Sequence, residues 1–390
     1  MTFRYRCSEC GLEYEILPGR LRCDRCAALQ QPDRPLRGIL EVVLEGGTLP
    51  TKAWHTLDLL PVERRWFPAI PVGDTPLWRP ERLCDELGSP GLVLKDDGLN
   101  PTGSLKDRAS YLVAAFARRH GIRRIVVAST GNAGSSMAGI GAAAGLEVRL
   151  YLPASAPRGK LVQSLQYGAD LQKIDGSYDR ASAACRAFLS EHDGLSRNTG
   201  ENPLTIEGKK TVSLEIFRQL GDRTPDYVFV STGDGVIAAG VYKGFEDLVA
   251  LGLADRVPQI VCVQAEGSSA IARALEHGEF TDPVAADTVA DSISVAVPAA
   301  GYFTLARLQR HRGRCVVVSD RQIQAAQRRL ASAAGCFVEP AAAAAFAGYL
   351  ASRAAIDPAA RVVVLLTGTG LKDIDGALRS LEQDSTAESP

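Results

Sequence analysis

Short apolar runs alternate with longer segments of helical periodicity along most of the 390 residues. The runs have the length of buried strands, and the segments between them have the length of helices. The runs cover Ile125–Ala128, Glu147–Leu152, Leu171–Ile174, Tyr227–Val230, Ile260–Gln264, Arg314–Val318 and Arg361–Leu366. Strands that alternate with helices in this way predict an α/β fold with parallel sheets.

Glycine-rich turns follow three of these runs. They are Ser129–Asn132, Thr232–Gly235 and Thr367–Gly370. Ligands of parallel α/β sheets bind beyond the carboxyl ends of the strands, which is where these turns fall. Glycines before a helix let backbone amides face an oxyanion, most often phosphate. A single such turn is often only a tight turn, but three together predict a binding cleft.

Lys106 follows a fourth turn. Residues Asn100–Ser104 are turn formers, and apolar residues resume at helical spacing from Leu105 to Arg119. This pattern places Lys106 in the first turn of a helix. The positive end of a helix disfavours a further cation, which suits an amine that acts as a Schiff-base amine or a proton-transfer base. The alternative is a solvated surface lysine, since most lysines are exposed.

Motifs over nearly the whole chain resemble the threonine synthase family of pyridoxal-phosphate (PLP) enzymes. Besides the turns above, they are Gly73–Leu77, Asn100–Arg108, Asn202–Thr211, Lys243–Phe245 and Glu339–Pro340. The resemblance implies the two-domain α/β architecture of fold type II, tryptophan synthase β-like, with parallel and mixed sheets flanked by helices. A small domain, residues 96–205, would be inserted in a large PLP-binding domain formed by residues 33–95 and 206–384, with a tail at 385–390.

The resemblance also implies PLP as cofactor and assigns residues to it. Lys106 would form the Schiff base and serve as the catalytic base, and Asn132 would hydrogen-bond the phenolic oxygen of the cofactor. The loop that would hold the cofactor phosphate consists of Gly233, Asp234, Gly235, Val236 and Ile237. PLP delocalises a carbanion, while the protein supplies position and proton transfer.

Two other residues have open alternatives. By resemblance Thr367 would face the pyridine nitrogen, but its hydroxyl could instead cap its own turn. Glu339 resembles the family's acidic residue behind the cofactor, but it could also be only a charge at a helix N-terminus. The family motif favours the cofactor role of Thr367, while both alternatives stay open for Glu339.

The substrate residues are less clearly marked. The resemblance implies that Ser129 and Thr130 hold the substrate carboxylate. A substrate phosphate needs a cation with hydroxyl and amide donors. The candidates for it are Arg180 and the segment Arg197, Asn198 and Thr199. The chain departs from the family pattern at Ala183, where an arginine is expected, and at Asp234–Ile237, where glycine and asparagine are usual.

Three functions are therefore considered. The first is a threonine synthase, which converts O-phospho-L-homoserine and water to L-threonine and phosphate. The second is a paralogue that carries out β-elimination or β-replacement on O-phosphoserine or another activated amino acid, as cysteate and diaminopropionate synthases do. The third is a non-catalytic binding protein that uses its N-terminal ribbon. Retention of Lys106, Asn132 and Thr367 together argues against the third.

The N-terminus carries a separate signal. Cys7, Cys10, Cys23 and Cys26 form two C-x2-C pairs separated by twelve residues. Such pairs can clamp a tetrahedral zinc ion and predict a zinc ribbon at residues 1–32. Disulfides or free thiols are the alternatives. A ribbon this short cannot bury enough core to fold alone, so the metal would stabilise it.

Composition agrees with an ordinary soluble enzyme that we expect in the cytoplasm, and the resemblance implies a role in amino-acid biosynthesis. The 44 basic and 45 acidic residues give a net charge of −1, so no broad basic surface for nucleic acid is expected. No apolar stretch has membrane-spanning length, and the polar start is unlike a secretory signal. We expect a small amino-acid substrate, no nucleic-acid or membrane partner, and a possible homodimer.

Overall fold

The computed structural model describes residues 1–46, 49, 54–156, 158–378 and 381. Its strands are β1 (Thr2–Cys7), β2 (Glu13–Tyr14), β3 (Leu40–Gly46), β4 (Leu77–Trp78), β5 (Leu92–Asp96), β6 (Arg124–Ala128), β7 (Glu147–Pro153), β8 (Asp170–Ile174), β9 (Leu195–Ser196), β10 (Tyr227–Ser231), β11 (Gln259–Ala265), β12 (Arg314–Val318) and β13 (Val362–Leu366). The predicted tail, residues 385–390, lies outside the described residues.

Helices separate most of the strands. They are α1 (Asp24–Ala27), α2 (Glu81–Leu87), α3 (Lys106–Arg119), α4 (Asn132–Ala144), α5 (Arg158–Gln166), α6 (Tyr178–Glu191), α7 (Leu204–Lys209), α8 (Thr211–Gln219), α9 (Val236–Ala250), α10 (Ala270–His277), α11 (Gly301–Arg310), α12 (Asp320–Ala334) and α13 (Pro340–Ser352). Among the described residues, no helix is both long and apolar enough to cross a membrane.

The larger sheet has six strands in the order β12-β11-β10-β13-β5-β4. All neighbours pair in parallel except β4, which runs antiparallel to β5. Alternate residues of β13 face opposite sides, so Val362 and Val364 join one apolar cluster while Val363 and Leu365 join another. A sheet buried on both faces explains why its strands read as continuous apolar runs.

The smaller sheet has four parallel strands in the order β8-β7-β6-β9. The seven strands predicted from apolar runs are all present, and each bound agrees within one residue. The predicted α/β class with parallel and mixed sheets is therefore confirmed. Strand β5, the short strands β4 and β9, and the edge position of β4 were not predicted.

The N-terminal sheet is antiparallel, with the order β2-β1-β3. Strand β3 lies beyond residue 32 and pairs with β1 from Thr2 to Cys7. An ion pair of 2.5 Å between Glu41 of β3 and Arg307 of α11 joins this sheet to the enzyme body. The predicted domain boundaries stay predictions.

Glycines let three helices approach closely around the centre of the molecule. A Cβ at Gly208 in α7 would clash with the carbonyl oxygen of Arg108 in α3. A Cβ at Gly240 in α9 would lie 2.7 Å from the Cβ of Lys209. The first turn of α3, the end of α7 and the start of α9 are brought together by this packing.

Candidate active site

Lys106 begins α3 at the carboxyl end of β13. The loop before it pairs with the turn after β13: Leu105 N donates to Thr367 O at 2.9 Å, and Thr369 N donates to Gly103 O at 3.0 Å. Lys106 itself is partly exposed. Its predicted position in the first turn of a helix is confirmed, and the pairing fixes it beside the third glycine turn.

Asn132 and Glu339 meet beside Gly368. The Asn132 side-chain amide donates to both carboxylate oxygens of Glu339, at 2.9 and 3.0 Å. A Cβ at Gly368 would lie 2.5 Å from Oε1 of Glu339, so only glycine fits there. Burial raises the pKa of Glu339, although the Asn132 hydrogen bond opposes the shift. Glu339 makes no side-chain cap to α13, so its carboxylate belongs to the cleft.

The loop predicted to hold a phosphate follows β10 and leads into α9. Gly235 has a φ of 82°, a left-handed conformation that favours glycine. A Cβ at Gly233 would lie 2.7 Å from the Cα of Ile293. The Asp234 carboxylate accepts a hydrogen bond from Val236 N at 2.9 Å. Two amides of the first turn, at Ile237 and Ala238, lack intrahelical partners by helix geometry and can face an anion.

Two buried cations lie behind this loop. Lys209, at the end of α7, is fully buried, and its Nζ has no hydrogen-bond partner among the described residues. Burial lowers the pKa of Lys209 well below its usual value, and the nearby charges of Lys106 and Arg197 lower it further, while Asp234 opposes them. Arg197 is also fully buried, and burial lowers its pKa to about 10.

Arg197 bonds only neutral oxygens in the described part of the chain. It donates to Ser110 Oγ at 3.2 Å, Thr199 Oγ1 at 2.6 Å and Lys106 O at 3.4 Å. The last bond ties it to the backbone of the predicted catalytic lysine. The inner end of the cleft therefore holds two buried basic side chains, Lys209 and Arg197, that hydrogen-bond no carboxylate among the described residues.

A cavity of about 100 Å³ opens in front of Asn132. Its polar lining includes Thr130, Ser135, Gln163 and Lys372. Lys372 Nζ donates to Ser135 Oγ at 2.9 Å and to Gln163 Oε1 at 2.5 Å. Burial lowers the pKa of Lys372, while Asp107 and Glu339 oppose the shift. The cavity joins hydroxyls, amides and one cation with the carboxylates of Asp291, Glu339 and Asp373, so its lining suits a small polar molecule that carries charges of both signs.

Residues 69–368 match the family described as "Pyridoxal-phosphate dependent enzyme". The chain belongs to this family. Curated relatives named threonine synthase come from Methanosarcina acetivorans, with 34% identity over 99% of this chain and 96% of the relative, and from Mycobacterium tuberculosis, with 35% identity over 83% and 89%. A third, from Methanocaldococcus jannaschii, is 32% identical over 97% of this chain and 95% of its own length.

Solved structures agree on the fold. Maize serine racemase has a TM-score of 0.69 and 20% identity, covering 80% of this chain and 93% of that one. A processed threonine deaminase isoform from Solanum lycopersicum has a TM-score of 0.70 and 24% identity, covering 82% and 86%. The chain has the fold type II of PLP-dependent enzymes, as the sequence motifs implied.

The predicted substrate residues have different positions in this family member. Thr130 lines the cavity. The Ser129 hydroxyl accepts from Gly131 N at 3.2 Å and Gly134 N at 3.1 Å, so it shapes the turn into α4. Asn198 accepts from Ala128 N at 2.9 Å and donates to Glu201 at 3.1 Å. These contacts leave Asn198 a clear positional role, and its substrate role stays a prediction.

Arg180 does not line the cavity. It is exposed in the first turn of α6, with its side chain against Gly176. Tyr178, two residues earlier, instead reaches back to donate from its hydroxyl to Ala128 O at 2.9 Å. Substrate binding by Arg180 stays a prediction that these contacts do not support.

Thr367 is buried at the turn after β13. Its carbonyl accepts from Leu105 N, and the side-chain cap of the following turn comes from Thr369, whose Oγ1 accepts from Leu371 N at 3.5 Å. That Thr367 faces the pyridine nitrogen stays a prediction. The alternative was that the Thr367 hydroxyl caps its own turn, and Thr369 supplies that cap.

Sequence reasoning missed three cleft residues. Lys209 lies inside the motif Asn202–Thr211, and Lys372 lies two residues after the turn Thr367–Gly370, but neither was assigned a role. Gln163 lies in α5 with no motif around it. Only a contact between distant segments identifies Gln163, because 209 positions separate it from Lys372.

The four N-terminal cysteines form a compact cluster. The Sγ atoms of Cys7, Cys10, Cys23 and Cys26 all lie within 4.8 Å of one another. The distance between Cys10 and Cys23 is 3.7 Å, and Tyr14 donates its hydroxyl to Cys23 at 3.1 Å. The convergence predicted from C-x2-C spacing is confirmed.

Proposed function

We propose that the protein is a threonine synthase that uses PLP to convert O-phospho-L-homoserine and water to L-threonine and phosphate. The observation that carries the proposal is that Lys106 begins α3 beside the turn Thr367–Gly370, near the buried Glu339 that holds Asn132. Relatives named threonine synthase that match nearly the whole chain support the reaction. The substrate accordingly is a small amino acid with an anionic side chain.

The residues of the cleft fit PLP. PLP is an aldehyde that carries a phosphate. Its aldehyde would react with an amine, and its phosphate would bind the backbone amides at the start of a helix and the basic side chains beside them. Lys106 would link the aldehyde carbon, Asn132 would hydrogen-bond the phenolic oxygen, and Gly233–Ile237 would hold the phosphate. Thr367 would face the pyridine nitrogen. When bound, PLP supplies an electron sink for the negative charge that develops at the substrate Cα.

Proton transfer falls to Lys106. Its Nζ, once free, takes the α-proton of the substrate and can return a proton at a later step. The pairing of residues 103–105 with 367–369 holds the backbone that carries this side chain in place. Asn132 is held in turn by Glu339, through bonds of 2.9 and 3.0 Å. A fixed base and a fixed amide donor lower the entropy cost of reaching the reactive geometry.

The cavity orients the substrate. Thr130 and the turn into α4 offer donors to a carboxylate, as the sequence motifs implied. Lys372 adds a cation whose present partners, Ser135 and Gln163, are neutral. An incoming anion can therefore replace these contacts by charge-assisted hydrogen bonds, which are shorter and stronger.

A second candidate is a paralogue that acts on O-phosphoserine or another activated amino acid. It is favoured by α6, where Ala183 stands in place of the expected arginine and both Ala183 and Arg180 are exposed outside the cavity lining. No arginine of α6 reaches this cavity within the described residues, so the grip on the longer phosphorylated side chain differs from the family pattern.

The test is the choice of substrate. Protein loaded with PLP should release phosphate and threonine in equal amounts from O-phosphohomoserine, and neither product from homoserine. Phosphate leaves readily and offers several charge-assisted hydrogen bonds, each worth about 1.5 to 3 kcal/mol. Consumption of O-phosphoserine without consumption of O-phosphohomoserine would replace the first proposal by the second.

We also propose that the cysteine cluster binds one structural zinc ion. Zn–S bonds of about 2.3 Å in a tetrahedron imply S···S distances of about 3.8 Å. The 3.7 Å between Cys10 and Cys23 supports such a site. Four cysteine ligands leave no open coordination position, which is typical of a structural rather than a catalytic metal. A homodimer and a cytoplasmic location stay predictions.

A further inference from the structure

Adjacent lysines at the end of α7 have opposite surroundings. Lys210 is buried and paired, with Nζ 2.5 Å from Glu207 and 2.7 Å from Asp247. Lys209 is equally buried, but its Nζ has no hydrogen-bond partner in the described part of the chain. Buried polar groups are almost always hydrogen-bonded, so an exception at a cleft points to a missing ligand.

The surroundings of Lys209 define the charge of that ligand. The charged groups that act on it are Lys106, Arg197 and Asp234. Asp107 also acts on Arg197, so three basic side chains, Lys209 included, face two carboxylates. Arg197 has its own bonds to neutral oxygens only. A bound anion would balance the remaining positive charge and would favour the charged form of Lys209, whose pKa burial otherwise lowers.

The location of Lys209 defines where the anion would lie. Lys209 packs against Gly240, one turn from the start of α9. A Cβ at Gly240 would lie 2.7 Å from the Cβ of Lys209, so this close approach favours glycine. The N-terminus of this 15-residue helix carries partial positive charge and unpaired amides. The side chain of Asp234 already occupies Val236 N, which leaves the following amides for a ligand.

We propose that Lys209, assisted by Arg197, binds the phosphate of a phosphate monoester at the N-terminus of α9, and that this phosphate belongs to the cofactor. The glycine loop before α9 favours the cofactor over the substrate as the source. The inference rests on the proposed PLP-dependent function. It adds two side-chain cations to a site that the sequence motifs gave only backbone amides.

The test compares two ligands that differ only by the phosphate. Dissociation constants of PLP and of pyridoxal are measured by absorbance titration of apoprotein from wild type, Lys209→Met, Lys209→Arg and Lys173→Met. Lys173 is an exposed lysine of β8 and serves as the matched control. Lys209→Met should weaken PLP about 10- to 100-fold and leave pyridoxal unchanged, since a charge-assisted bond is lost. Lys209→Arg should recover most of the PLP affinity.

A second measurement separates binding from folding. The thermal midpoint of Lys209→Met apoprotein should equal or exceed that of wild type, because the variant removes an unpartnered buried amine. A lower midpoint together with equal weakening of PLP and pyridoxal would overturn the proposal and give Lys209 a purely structural role.

The remaining outcomes are also distinct. Unchanged PLP affinity with a raised KM for O-phosphohomoserine would overturn the cofactor assignment and make the substrate phosphate the ligand. Unchanged values for both ligands and for KM would overturn the phosphate site altogether. Wild-type protein that binds neither PLP nor pyridoxal would contradict the proposed function instead.

Discussion

Arg108 and Arg197 are both fully buried near the cleft, yet their surroundings differ. Arg108 bonds Asp97 at 2.6 Å and Glu215 at 2.5 Å. Burial alone would lower the pKa of Arg108, but these two carboxylates raise it well above its usual value. Arg197 has no such partner in its bonds, and its pKa falls to about 10. Burial alone therefore does not distinguish the two arginines, whereas a hydrogen-bonded carboxylate partner does.

The same contrast holds for lysines. Lys95 donates to Glu215 at 2.7 Å, Thr75 O at 2.7 Å and Gln219 at 2.9 Å, while Lys209 has no such bond among the described residues. We call Lys95, Asp97, Arg108 and Glu215 the ion-pair core, and Lys106, Arg197 and Lys209 the cleft cations. The ion-pair core should determine stability, and the cleft cations should determine ligand binding and turnover.

The largest expected effect is on turnover. Lys106→Ala should lower kcat/KM at least about 10³-fold, because base catalysis alone contributes about 10² to 10⁴-fold and the cofactor link is lost as well. Its free energy of unfolding as apoprotein should stay within about 1 kcal/mol of wild type, as for most changes away from packed features. Steady-state kinetics and urea denaturation measure the two quantities, with Lys173→Ala as control. If Lys106→Ala retained turnover, Lys106 would take no part in the chemistry.

The second largest effect is expected from the ion-pair core, where a substitution should lower the stability of the folded protein. Arg108→Met should lower the free energy of unfolding by about 3 to 5 kcal/mol, because two buried carboxylates lose their partner. Arg197→Met, a matched change at a buried arginine, should cost much less while it weakens PLP binding. Urea denaturation of both apoproteins compares them directly. Equal losses of free energy of unfolding in the two variants would contradict the proposed difference between the ion-pair core and the cleft cations.

Acid should weaken the ion-pair core in a defined window. Burial alone would raise the pKa of Glu215, but Arg108 and Lys95 outweigh it and lower the pKa to about 2. Because the folded pKa lies below the unfolded value of about 4.3, the stabilisation is present above that value and is lost as pH falls towards 2. Wild type should exceed Glu215→Gln by about 3 kcal/mol at pH 6, and the difference should shrink between pH 4.5 and 2. A difference that is constant over this range would contradict the pairing.

The smallest effect on the cleft should come from the N-terminal cysteines. Cys7→Ser should release about one zinc ion per chain and loosen the N-terminal sheet, since a four-cysteine site loses a ligand. The PLP absorbance should change little, because no cysteine of the cluster lines the cavity. Metal analysis and absorbance spectra measure both. Wild-type protein without zinc would contradict the metal site, and a lost PLP spectrum would show that this sheet supports the cleft.

Sequence patterns predicted the sheets and the lysine turn because both are local. Buried parallel strands are continuous apolar runs, and the start of α3 follows from turn formers before a helical period. The cleft cations could not be separated from the ion-pair core in this way. Lys209 and Lys210 are neighbours in sequence, and their difference depends on Asp247, which comes 37 positions after Lys210. Substrate binding by Arg180 stays a prediction, because helix periodicity alone does not show whether an exposed residue of α6 faces the cleft.

The central claim is that Lys106, and not another cleft amine, links the cofactor. Borohydride reduction of the PLP-loaded wild-type protein, followed by peptide mapping, tests it most directly. The account predicts that the reduced cofactor is attached to Lys106. Attachment to Lys209, the unpartnered amine nearby, would contradict the account and exchange the roles assigned to the two lysines.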